Sequence, residues 1–213
     1  MKKSIARARC GRCLAISLFA FGLPSCGSDD PTPTDQVRHA HVLGSASNGG
    51  THWTPLDYRK AYNVPSPGPE PGESTTIVIV AYHYPNLQAD LNKFAAKYAL
   101  RAPTLSIINQ AGSKTNSEWA LEATIDVEMV IAANEMTQLY VIEAKSDSST
   151  DIQVAIETAE TLARPGTAVS MSFGASELAG GTTRQGHFSS TQITWIAASG
   201  DNLTPSFPST YPG

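Results

Sequence analysis

Cysteine is scarce and badly placed for chemistry. The 213 residues hold three, Cys10, Cys13 and Cys26, all within the first 26 positions. Cys10 and Cys13 form a Cys-x-x-Cys pair, a spacing that elsewhere suggests zinc or redox chemistry. Other absences narrow the field further. Lys and Arg make no run beyond the first dozen residues, which excludes nucleic acid as a partner. No apolar run reaches the roughly 18 residues of a spanning helix. The five histidines show no metal-ligand spacing, so no metal site is expected. "GGTTRQG" lacks the strand–glycine–helix setting of a phosphate loop. Ser176, in "GASEL", falls short of a nucleophile elbow.

What is present starts with an amino-terminal leader. "MKKSIARAR" is basic and free of acids, "CLAISLFAFGL" is a short apolar core, and "LPSC" ends the segment at Cys26. Small residues before a cysteine at that place resemble a bacterial lipobox, in which the cysteine is acylated. Residues 1–25 are therefore expected to be removed, with Cys26 carrying a lipid that anchors the chain to a membrane or cell surface. Plain secretion with cleavage nearby is the alternative. Cleavage would also remove Cys10, Cys13 and five of the 15 basic residues, leaving a chain of net charge near −9.

Residues 26–50 are rich in Ser, Asp, Pro, Thr and Gly, which suits a flexible tether. Residues 51–213 then alternate between two periodicities. "TTIVIVAY", "TLSII", "QLYVIEA", "AVSMSFG" and "ITWIAASG" are apolar, β-branched runs of strand length. Between them "NLQADLNKFAAKYAL", "SEWALEATIDVEMVIAA" and "TDIQVAIETAETLA" have helical spacing, the first with Asn86 as its cap. The alternation predicts an α/β fold: a parallel sheet with helices on both faces. Working residues of such folds gather at the carboxyl ends of strands, here Tyr82–Asn86, Glu143–Lys145, Gly174–Glu177 and Gly200–Asp201. The chain ends in a Pro-rich stretch after the last strand, which reads as an interruption of the domain.

Single histidines and serines at these ends, His83, His187 and Ser199 among them, fit structural or solvated roles better than chemical ones. Glu122 and Asp126 are harder to set aside. They lie one helical turn apart, and the most natural solvent face of their helix is Ala120, Thr124 and Glu128, which turns both acids inward. Like charges so placed repel, and inside a protein one of them tends to keep its proton. On helical geometry alone the pair is an acidic patch or the partner of a distant arginine as readily as a catalytic dyad. As a dyad, one carboxylate would serve as a base at acidic pH while the second orients it.

The stretch "EATIDVEMVIAANEMTQLYVIEA" resembles the catalytic helix and following strand of the sedolisins, the serine-carboxyl peptidases. "DYRKAYNV", "TTIVIVAY", "VSMSFGASE", "ITWIAASGD" and the final "YPG" resemble further pieces of that family in family order, from about Trp53 to Gly213. The resemblance implies a subtilisin-like fold and peptide-bond hydrolysis, with protein or peptide substrates. It implies Glu122 as general base and Asp126 as the acid that orients it. It also implies a nucleophilic serine in a Ser-Gly-Thr-Ser motif and a calcium site, both downstream of Gly213, with no cofactor held by this chain. The serine and the calcium site are two departures from the family, and the third lies within the matched residues. Glu177 is followed by Leu178, where an oxyanion-stabilising Asp is common. That substitution leaves a second reading open, a surface lipoprotein that keeps the fold as a binding module.

Overall fold

The computed structural model describes residues 53–65, 74–175, 187–200 and 206–210, together with the backbone of Arg38–His39. All of them belong to one compact unit, Pro33–Gly213. Among the described residues, seven strands and four helices follow in chain order: β1 (Arg38–His39), α1 (Pro55–Ala61), β2 (Thr75–Ala81), α2 (Leu87–Tyr98), β3 (Ser106–Asn109), α3 (Ser117–Ala133), β4 (Gln138–Ala144), α4 (Ser149–Leu162), β5 (Thr167–Met171), β6 (Phe173–Gly174) and β7 (Ile193–Ala197).

Five of these strands form one parallel sheet in the order β3-β4-β2-β5-β7. The β-branched run of β2 lies at its centre, with Ile77, Val78, Ile79 and Val80 wholly buried. Both faces of β2 are therefore covered, as a continuous apolar run requires. The edges differ from the expectation of a sheet covered throughout. Ser106, Ile107 and Asn109 of β3 are exposed, as are Thr194 and Ile196 of β7.

The connections place the helices. β2 to β3 runs outward across the sheet order, and β3 to β4 runs back. Their crossover helices, α2 and α3, nevertheless pack against each other, and α3 also packs on β2. Two crossovers of opposite direction on one face cannot both be right-handed. One of the pair breaks a rule that holds for nearly all parallel connections.

Short polar residues start the helices. Thr54 and Asp57 form a reciprocal capping box at α1, Asn116 accepts from the Glu118 and Trp119 amides at α3, and Ser148 accepts from the Asp151 amide at α4. Asn86 holds the cap position of α2 but makes no side-chain cap bond there. Arg38–His39, within the segment read as a tether, pairs antiparallel with β6.

The carboxyl end of α3 has no basic residue of its own in its last turn. Arg59 of α1 takes that role. Its Nε donates to the Ala132 carbonyl at 2.6 Å and its Nη2 to the Ile131 carbonyl at 3.3 Å, while Glu135 lies 3.6 Å from Nη2. The guanidinium thus meets both the orphan carbonyls and the negative end of the helix dipole. Arg59→Met is expected to lower stability by about 2 kcal/mol, since charged hydrogen bonds contribute roughly 1.5–3 kcal/mol. A thermal melt should show a midpoint about 4–8 °C lower. An unchanged midpoint would remove Arg59 from the forces that hold α3 in place.

Candidate active site

Helix α3 carries both acids of interest, and both are buried: Glu122 is 5% exposed and Asp126 8%. They share the inner side of the helix with Trp119, Ala123, Val127 and Ile131. The solvent side is not the one that Ala120, Thr124 and Glu128 suggest, for those three are half-buried. Leu121 and Met129 are exposed instead, with Ile125 half-buried between them. The helix therefore turns apolar side chains outward and two carboxyl groups inward.

The neighbours of this inner side come from the end of the sheet. Trp119 packs on Phe173 with ring centroids 6.5 Å apart. The preceding residue, Ser172, has its hydroxyl close enough to the Asp126 carboxyl to favour its charged form. Trp119 and Asp126 are seven residues apart, two helical turns, so one stripe of α3 meets both residues of the β5–β6 junction. Ser172 had no signal in the sequence beyond its place in a strand end.

Asp126 titrates abnormally. Burial raises its carboxyl from the ordinary 3.8 to about 6, and the Ser172 hydroxyl opposes the shift by favouring the charged form. The repulsion from Glu122 suggested by the sequence is not the cause; loss of solvent is. Asp126 Oδ2 is buried and has no hydrogen-bond partner among the described residues, so no direct bond joins it to Glu122. An ionised carboxylate so placed is costly, and below about pH 6 the group is a neutral acid with a proton to donate.

A third buried carboxyl group belongs to the sheet. Glu143, on β4, is wholly buried. Its Oε2 accepts from His83 Nδ1–H at 2.6 Å and its Oε1 from the Tyr84 amide at 3.1 Å. His83 is therefore not a solvated loop histidine. A glutamate inside the apolar run "YVIEA" was the available signal, of the same kind that Glu122 gives in α3. His187 is occupied from α4: its Nδ1–H donates to Glu160 at 3.0 Å and its Nε2 accepts from Gln153 at 3.3 Å. With Phe188 it lines a small crevice closed by Ile152, Ile156 and Phe207. Ser199 is exposed beyond β7.

Among the described residues no three His, Cys, Asp or Glu side chains are grouped as a metal ion requires, and no helix is long and apolar enough to cross a membrane. Cys10, Cys13, Cys26, Ser176, Glu177, Leu178 and Asp201 lie outside the described residues.

A central parallel sheet, helices packed on it and a reversed crossover define the subtilisin-like class of α/β folds. The solved structure of Pseudomonas sedolisin, a serine-carboxyl proteinase complexed with two molecules of pseudo-iodotyrostatin, is similar to this chain with a TM-score of 0.59 at 18% sequence identity. The match covers 75% of this chain and 51% of that one, so the chain spans about half the length of the sedolisin structure. No protein-family model matches the sequence, and no curated protein does. The likeness shows a shared fold; residue roles rest on the site itself.

Proposed function

We propose that this chain is the amino-terminal part of the catalytic domain of a serine-carboxyl peptidase, an acid-acting endopeptidase exported by its amino-terminal leader. The observation that carries the reading is the pair of buried acids on α3, Glu122 and Asp126, on a subtilisin-like frame. Two carboxyl groups turned into an apolar interior lower stability, so the fold retains them for something other than stability. Glu122 is assigned as the general base that takes the proton of the attacking serine. Asp126 is the acid that orients it. Burial keeps Asp126 a neutral acid up to about pH 6, one helical turn from Glu122.

The reaction is acyl transfer from a peptide bond to serine, followed by hydrolysis of the acyl-enzyme. The attacking group that this reading requires is a serine hydroxyl. A carboxylate base suits this chemistry at acidic pH, where an imidazole would be protonated and unable to accept.

The experiment is hydrolysis of denatured casein at pH 2–8 by the protein encoded in the full reading frame, with pseudo-iodotyrostatin as a trial inhibitor. Cleavage is expected mainly below about pH 5, falling away as Asp126 loses its proton near pH 6. The activity belongs in the cell-envelope fraction where Cys26 is acylated. Absence of cleavage throughout that range, by a folded protein that carries the downstream serine, would leave the fold as a binding module.

A further inference from the structure

The loop that leaves the central strand β2 is held more tightly than a connection requires. Tyr82 has a left-handed backbone, φ +62°, which is strained for an aromatic residue. Its amide donates to the Ala144 carbonyl at 2.9 Å and its hydroxyl to Asp147 at 2.9 Å. The His83 amide donates to the Lys114 carbonyl at 2.7 Å, in the segment that leads into α3. Both oxygens of Glu143 accept from this loop, one from His83 Nδ1–H and one from the Tyr84 amide. Strain of this kind persists where surrounding bonds over-determine the conformation, and such places cluster at ligand clamps. This one lies at the carboxyl edge of the innermost strand, where parallel sheets bind ligands.

The two members of the pair face different surroundings. Glu143 is wholly buried, whereas the His83 side chain is 25% exposed. Among the described residues only its Nδ1 is engaged, so Nε2 is left for something else. The short bond fixes which nitrogen faces inward, because a carboxylate can only accept and Nδ1 must carry the proton. A buried carboxylate is balanced when its partner is an imidazolium. In that state Nε2 also carries a proton, and a fixed N–H donor points away from the core. A peptide offers such a donor two kinds of acceptor, main-chain carbonyl oxygens and side-chain carboxylates.

We propose that His83 is a substrate-contacting residue, held in orientation by Glu143, whose Nε2–H takes an acceptor oxygen of the bound peptide. The inference rests on the peptide-hydrolase reading given above. It adds a recognition point on the β2 side of the sheet that neither Glu122 nor Asp126 supplies.

The test separates binding from turnover. The probes are blocked octapeptides of alanine carrying one Glu or one Gln at each position in turn. Their affinity is read by fluorescence anisotropy at pH 4 with the full-length protein in a Glu122→Gln background. His83→Asn keeps a donor near Nδ1 for Glu143 but removes the outer donor; His83→Gln keeps a donor near Nε2. The expectation is a loss of affinity of about tenfold or more in His83→Asn, with most of it restored in His83→Gln. The thermal midpoint of His83→Asn should stay within a few degrees of the parent. A loss shared by all peptides identifies a main-chain oxygen, and one confined to the Glu peptides identifies a side-chain carboxylate. His83→Asn binding as tightly as the parent would overturn the proposal and reduce the pair to a loop clamp. His83-dependent binding with no cleavage by the wild type would preserve the recognition point and refute the peptidase. Absence of peptide binding by every form would refute both.

Discussion

Glu122→Gln in the full-length protein is expected to lower kcat/KM for casein-derived peptides by about 10,000-fold or more while leaving the circular dichroism spectrum unchanged. A positioned general base contributes roughly 100- to 10,000-fold by itself, and members of a catalytic unit that act together often cost more. Gln is nearly isosteric with Glu and keeps one acceptor oxygen, so the packing around Trp119 and Ala123 has no reason to change. On the proposed mechanism, what it loses is the ability to hold the serine's proton. The loss should fall on kcat rather than on KM, because the base acts only as the bond is broken. A variant that keeps most of its turnover would place the chemistry elsewhere in the molecule.

Asp126→Asn is expected to act on stability, in a direction set by pH. The carboxyl of Asp126 titrates at about 6 in the folded protein against an ordinary 3.8, so the folded chain holds that proton more firmly than the unfolded one. Its contribution to stability is then fully present below about pH 4 and lost as pH rises through about 6. The span corresponds to something on the order of 3 kcal/mol. Asn carries no charge to bury, so the variant should gain roughly 2 kcal/mol at pH 8 after allowance for its own unmet amide bonds. At pH 4 it should melt close to the wild type. Urea unfolding at the two pH values checks both halves, and equal effects at pH 4 and pH 8 would show that burial does not shift Asp126.

Much of the fold could be read from the sequence, because its central strands are long enough to show their character. "TTIVIVAY" and "QLYVIEA" became β2 and β4 with their boundaries nearly in place, since a buried parallel strand needs a continuous apolar run. The β1–β6 ladder was not legible. Two residues at Arg38–His39 carry no periodicity, and their pairing depends on Phe173–Gly174, more than 130 residues away. The outward face of α3 was misread for a related reason. Amphipathic reasoning assumes that charges face water, and α3 buries Glu122 and Asp126 while exposing Leu121 and Met129.

The candidate site was legible where a charge stood among apolar neighbours and illegible where it depended on approach in space. Glu122 and Asp126 announced themselves by their spacing. His83 sat at a strand end, yet its partner Glu143 is 60 residues further along, on the adjacent strand. Register alone brings them together: Val80 of β2 lies opposite Glu143 of β4, three residues before His83. Ser172 meets Asp126 only because the β5–β6 junction passes beside α3. A fold shared at 18% identity places none of these contacts, and function belongs to the site rather than to the frame.

The pH dependence of kcat/KM, measured from pH 2 to 8 on the full-length protein with and without Glu122→Gln, tests the central claim most directly. The acids on α3 predict a wild-type profile that declines as pH passes through about 6, where Asp126 gives up its proton, and a Glu122→Gln profile that is flat at the background rate. A wild-type maximum at neutral or alkaline pH, surviving Glu122→Gln, would show that the buried pair is not the catalytic base.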